Sequence, residues 1–99
     1  MFLAHGGTSP FFKKYVLSKR QTKKVNSILL TYGTYDAVGD FAYRVEMPGK
    51  SGVGGGIVAL IPGLLSVCVW SPELDSAGNS VVGLKALELF TTKTGISIF

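Results

Sequence analysis

Cysteine and histidine are almost missing from this chain: Cys68 and His5 are the sole examples in ninety-nine residues. One cysteine excludes an internal disulfide and fits a reducing compartment. One histidine, with no second ligand type beside it, gives no reason to expect a metal. Acidic residues are scarce as well, six against ten Lys and Arg, which leaves a net charge of +4. No charged n-region, apolar h-region and cleavage site opens the chain, so secretion is not indicated and a cytoplasmic protein is expected. A long apolar run is also lacking. Gly56 to Trp70 is the one candidate, about five residues short of a spanning helix and split by Pro62-Gly63. It predicts two strands and a turn, and no membrane span.

What is abundant is apolar surface. The hydrophobic fraction is 46% and the mean hydropathy +0.36, high for a domain that buries only about 60–65% of its unfolded surface. That excess implies faces waiting for structure beyond this sequence. The positive charge is concentrated in Lys13, Lys14, Lys19, Arg20, Lys23 and Lys24, with Tyr15 the one aromatic among them. A nucleic-acid reader would set such residues beside exposed aromatics or along a recognition helix. Here they flank a helix start, and a solvated helix face accounts for them. No nucleic-acid partner is expected.

Along the chain, Met1 to Ala4 reads as a last helical turn stopped by His5-Gly6-Gly7 and barred from continuing by Pro10. Phe11 to Leu17 reads as a connector with two or three anchoring aromatics. Ser18 and Gln21 form a capping box, which predicts a helix from Lys19 to Tyr32 ended by Gly33. Val25, Ile28, Leu29 and Tyr32 would be its buried stripe. A short helical turn is expected over Gly39–Tyr43, then a hairpin of Ile57–Ile61 and Leu65–Trp70 around Pro62-Gly63-Leu64. Both strands are apolar on both faces, the pattern of central strands covered by helices. Asn79 or Ser80 caps a final helix, with Val82, Ala86, Leu89 and Phe90 as its apolar stripe, thickened by Val81, Leu84 and Leu87, and Gly95 as its stop. Ile96, Ile98 and Phe99 would start or complete another strand. The fold class is α+β: an antiparallel β-hairpin packed with flanking helices.

Lys50-Ser51-Gly52-Val53-Gly54-Gly55-Gly56 is the stretch that carries chemistry. It sets a cation, a hydroxyl and bare backbone just before an apolar strand. Gly49-Lys50-Ser51 mimics the end of a phosphate-binding loop, but that motif needs glycine where Arg44 stands and a helix where a strand follows. A Lys-Ser/Thr-Gly triplet opening a strand instead lines one wall of penicillin-recognising serine acyl-transfer sites. A glycine-rich bend with a merely solvated Lys50 is the bland alternative. Tyr35, just past the helix stop, suits either a phenol that handles protons or a packing residue.

The residues in order extend well beyond that triplet. Leu3-Ala4-His5-Gly6-Gly7 with Pro10, Val16-Leu17-Ser18, Tyr35-Asp36, Gly39 with Phe41-Ala42, Pro48 through Gly56, Trp70-Ser71-Pro72, Leu74-Asp75 and Gly78-Asn79-Ser80-Val81 closely resemble the C-terminal part of the serine-dependent glutaminases. The fold of that family is similar to that of the β-lactamase and penicillin-binding enzymes. Departures are Thr34 for a usual methionine, Glu46-Met47 for Gly-Leu, and Ser9 and His5 for asparagines.

The resemblance implies hydrolysis of L-glutamine to L-glutamate and ammonia through a serine acyl-enzyme. It implies no cofactor, no metal, and a homo-oligomer (dimer or tetramer) for the complete enzyme. It gives Tyr35 a role as proton relay or orienting donor, and the Val53 main-chain amide a role on the substrate carbonyl oxygen. Lys50 and Ser51 would line the same wall. The family's nucleophile sits in a Ser-x-x-Lys motif, and no Ser or Thr here is followed three places later by Lys. Residues 1–99 are therefore expected to be the C-terminal part of a catalytic domain, with the nucleophile N-terminal of Met1. The rival expectations are a non-catalytic glutaminase-like interaction protein and a penicillin-recognising serine hydrolase, where Lys-Thr-Gly would be commoner.

Overall fold

A computed structural model of the chain describes residues 1–34 and 38–99. One 3-10 turn, Phe2–His5, ends at Gly6, whose left-handed backbone (φ 67°) suits glycine. A two-residue ribbon follows, β1 (Thr8–Ser9) antiparallel to β2 (Lys14–Tyr15). Its connector does not use its aromatics as anchors: Phe11 is 86% exposed, and Phe12 and Tyr15 also stand in solvent. The two phenyl rings stack edge to face on each other instead.

Helix α1 spans Lys19–Tyr32 as the sequence predicts, and the capping box is complete. The Gln21 amide donates to Ser18 Oγ at 3.0 Å, and the Ser18 amide donates to Gln21 Oε1 at 2.9 Å. The buried face is not the predicted one. Ile28 and Tyr32 are exposed, whereas Thr22 and Asn26 are buried between the half-buried Val25 and Leu29. Thr22 Oγ1 donates to the Ser18 carbonyl, and Asn26 Nδ2 donates to the Leu3 carbonyl 23 residues away, although the buried Asn26 Oδ1 has no hydrogen-bond partner among the described residues.

Helix α2 (Val38–Val45) is longer than the expected turn. Beyond it, three strands form an antiparallel sheet in the order β3 (Gly49–Ser51), β4 (Gly56–Ile61), β5 (Leu65–Trp70). The predicted hairpin is β4–β5, with Ile61 opposite Leu65 and Gly56 opposite Trp70. β4 is the central strand and is covered on both faces. Ile57, Ala59 and Ile61 pack with Phe41, Val45 and Met47 of the α2 segment and with Leu84 and Leu87. Leu60, on the opposite face, packs with Leu3, Ala4, Val25 and Leu29. Fully burying such side chains contributes roughly 1.5–3 kcal/mol each. β5 departs from expectation. It is the last strand of this sheet, with Leu65, Val67 and Val69 half-buried and Ser66, Cys68 and Trp70 exposed.

Helix α3 (Val81–Thr94) is capped by Ser80, whose Oγ accepts from the Gly83 amide, and is stopped by Gly95 at φ 71°. Its inner face is Gly83, Leu84, Leu87 and Thr91, so of the expected stripe Leu84 and Leu87 face inward and Phe90 is half-buried, while Val81, Val82 and Leu89 are exposed. Gly83 packs closely there: a Cβ would lie 2.8 Å from the capping Ser80 Oγ and 3.2 Å from a Val69 methyl. The tail adds no strand among the described residues. Ile98 makes one main-chain bond, to the Glu46 carbonyl at 3.0 Å.

Candidate functional site

The C-terminal end of α1 is pressed onto β3, and one glycine makes that contact possible. Gly33 has ordinary helical φ (−70°), so it is not a left-handed stop. Its missing side chain matters because a Cβ there would fall 1.7 Å from the Gly49 carbonyl oxygen. The Ser51 amide donates to the Gly33 carbonyl at 3.1 Å. The chain therefore leaves α1 alongside β3, through Thr34, which is fully buried. Tyr35 lies outside the described residues.

Lys50 and Ser51 close the short strand β3 instead of opening the longer one, with Lys50 opposite Val58 and Ser51 opposite Ile57. Alternation along β3 sends their side chains to different places: Lys50 is exposed and Ser51 is 2% exposed. The Lys50 ammonium donates to the Ser51 carbonyl. The Ser51 hydroxyl donates inward to Asn79 Oδ1. Asn79, 1% exposed, in turn donates through Nδ2 to the Thr34 carbonyl at 3.1 Å. Asp75 fixes Asn79 from behind, as its Oδ1 accepts the amides of Ala77 at 2.9 Å and Asn79 at 3.0 Å. Three distant stretches of sequence are thus tied at one buried carboxamide.

Val53 sits at the tip of the tight turn joining β3 to β4, with its side chain 74% exposed. That turn is held on every side. Gly52 N–H donates to the Gly56 carbonyl, Gly55 N–H to the Gly52 carbonyl, and Ser71 N–H to the Gly55 carbonyl, each at 3.0 Å. Trp70 Nε1 donates to the Gly54 carbonyl at 2.8 Å. Gly55 has φ 96°, and a Cβ there would meet the Ser71 carbonyl oxygen at 2.5 Å. Among the described residues the Val53 N–H has no acceptor. A main-chain donor on a fixed turn with nothing to bond is the geometry an oxyanion needs.

Sequence reasoning missed two members of this arrangement. Asn79 was a candidate cap, but Ser80 does that work and frees the carboxamide for the network. Trp70 enters the sequence reading as a strand residue and as part of the glutaminase resemblance, with no role of its own; the structure sets it opposite Gly56, at the mouth of the glycine turn.

Other features lie apart from this arrangement. A hollow of about 580 Å³ is lined by Leu3, Thr22, Asn26, Pro48, Ile61 and Ile98, among others, and includes none of Lys50, Ser51 or Val53. Arg44 of α2 pairs with Glu88 of α3 at 2.9 Å and with Asp40 at 3.4 Å. That pairing, with Lys85 second, pulls the Glu88 carboxyl down to about 2, and the Arg44 guanidinium is correspondingly raised. Among the described residues no three His, Cys, Asp or Glu gather as a metal site, and no helix is long and apolar enough to cross a membrane.

Comparison with known proteins places the chain among relatives. The glutaminase family model matches residues 1–99. The chain is 57% identical to a glutaminase of Aliarcobacter butzleri over all of its own length and 32% of that protein. It is 58% identical to a glutaminase of Vibrio parahaemolyticus over 99% of its length and 32% of that protein. The chain thus spans about a third of the length of the curated relatives it matches. Among solved structures, the Bacillus subtilis glutaminase YbgJ in covalent complex with 5-oxo-L-norleucine superposes with a TM-score of 0.93. That match is 36% identical and covers 99% of this chain and 36% of the other. The probable glutaminase YbaS also gives 0.93, at 42% identity, over 99% of this chain and 32% of that one.

Proposed function

The chain belongs to the glutaminase family, and from that premise we propose that it is the C-terminal part of a catalytic domain that hydrolyses L-glutamine to L-glutamate and ammonia. It would form one wall of the site, facing a serine nucleophile and its lysine carried on the preceding part of the protein. The covalent 5-oxo-L-norleucine complex of the Bacillus subtilis relative supports a covalent route here. In this reading the serine attacks the carboxamide carbon and the Val53 N–H receives the developing oxyanion. Tyr35 hands a proton to the departing ammonia. Lys50 gives the wall its positive charge, and Ser51 keeps β3 at the correct depth. The complete enzyme would be a cytoplasmic homo-oligomer, a reading supported by the single unpaired cysteine and the large exposed apolar area.

The observation that carries this reading is the Val53 amide, unbonded among the described residues on a turn fixed by four hydrogen bonds. Its test uses a chimaera in which these ninety-nine residues replace the matching stretch of the Aliarcobacter butzleri glutaminase. An amide-to-ester change at Val53, made by semisynthesis, deletes the donor and keeps the side chain. Turnover of glutamine should fall about 10²–10³-fold, the loss typical of one oxyanion donor, while Val53→Ala stays close to the parent. A correctly folded ester variant with the parent's turnover would refute the assignment.

A further inference from the structure

The buried carboxamide of Asn79 joins the two segments to which the proposed function gives chemistry. Thr34, whose carbonyl it holds, immediately precedes Tyr35; Ser51, whose hydroxyl it accepts, stands two residues before Val53. Its orientation is forced. A carbonyl oxygen can only accept, so Nδ2 must face Thr34 and Oδ1 must face Ser51, which the hydroxyl satisfies by donating. Asp75 fixes the main chain on both sides of it, accepting the Asn79 amide and donating its own to the Asn79 carbonyl at 2.8 Å. No hydrophobic residue of that size, and no carboxylate, offers an acceptor and a donor at once.

We propose that Asn79 is a positioning residue for glutamine hydrolysis, setting the distance between Thr34, which precedes Tyr35 in the chain, and the end of β3 that leads into the Val53 turn. The proposal rests on the glutaminase reading and deepens it. Asn79 acts through Thr34 and Ser51 and touches no reacting atom. Misplacing either group by about 1 Å costs up to about 10²-fold in rate without weakening substrate contacts made elsewhere. The signature is therefore a fall in kcat with KM preserved.

The experiment compares Asn79→Asp and Asn79→Leu with the parent chimaera. Asn79→Asp keeps the acceptor for Ser51 but turns a second lone pair towards the Thr34 carbonyl; Asn79→Leu removes both bonds. Both should lower kcat roughly 10–100-fold and change KM by less than about threefold. Burial raises a carboxyl's pKa, so the activity of Asn79→Asp relative to the parent should recover as pH falls and its proton restores the donor. That recovery would not follow from general loosening of the fold. Should neither variant fold, Ser51→Ala cuts the same link with a smaller change and should show the same kcat loss. Folded Asn79 variants with parental kcat, or a parental kcat in Ser51→Ala, would overturn the positioning role while an active parent chimaera left the glutaminase reading intact. A folded but inactive parent would remove both.

Discussion

A methyl group added at Gly33 would sit 1.7 Å from the Gly49 carbonyl oxygen, with the Leu29 carbonyl at 2.5 Å on the other side. Both obstacles are backbone, so α1 and β3 must part to admit it. Gly33→Ala in the chimaera should therefore cost about 1–3 kcal/mol or more, as overpacking does, read from the midpoint of urea denaturation. It should also lower turnover, because the Ser51–Gly33 bond crosses the same contact. The sequence marks Gly33 as the end of α1, and the structure agrees, but a second demand falls on the same residue. Only the tertiary approach of β3 discloses it. Tyr35 is the residue whose role the sequence resemblance carries furthest. Tyr35→Phe should depress kcat about 10²–10⁴-fold, the contribution of a general acid or base, and leave KM nearly unmoved. A variant that keeps most of its turnover would make Tyr35 a packing residue.

At the level of elements, what was legible was what is local. The bounds of α1 follow from Ser18, Gln21 and the residue at 33, all within one helix. Which face it buries does not, since Asn26 turns inward to meet a carbonyl 23 residues away. α3 repeats the lesson: its cap, its stop and the inward Leu84 and Leu87 are readable, but the exposure of Val82 and Leu89 is not. The glycine turn between β3 and β4 is partly readable for the same reason. Its glycines are a local signal, while Asn79 reaches the neighbouring Ser51 from 28 residues away. Between α2 and α3 the Arg44–Glu88 pair yields a pH prediction. The Arg44 hydrogen bond, then Lys85, lowers Glu88 from its ordinary 4.5 to about 2 in the folded state. A depressed carboxyl gives stability that is complete above the unfolded pKa and lost as pH drops through the folded one. The chimaera should thus be more stable than its Glu88→Gln variant at neutral pH. The gap should close as pH falls from 4.5 towards 2, with urea midpoints at each pH as the measure. A gap that stays constant over that range would mean the pair is not coupled to folding.

The molecule as a whole exposes more apolar surface than a small domain ordinarily tolerates. Phe11, Phe12, Tyr15, Tyr43, Trp70 and Phe99 are each at least 69% exposed. The isolated ninety-nine residues should accordingly self-associate, raising light scattering and binding hydrophobic dyes, and should release no ammonia from glutamine. A monomeric species with a sharp cooperative melt would show that those faces need no cover. Ammonia release above a no-protein blank would place a nucleophile within this chain.

The outward row of β5 offers a final consequence. Cys68 shares that row with Trp70, and the chain contains no other thiol. A maleimide dye would therefore attach at one position, on the exposed row of β5. Its emission, quenched or shifted as further structure covers that row, would turn a question about covalent completeness into an optical titration. Adding the remaining two thirds of a relative as a separate polypeptide would then give a binding curve for the reunion of the pieces, recorded before any chemistry begins.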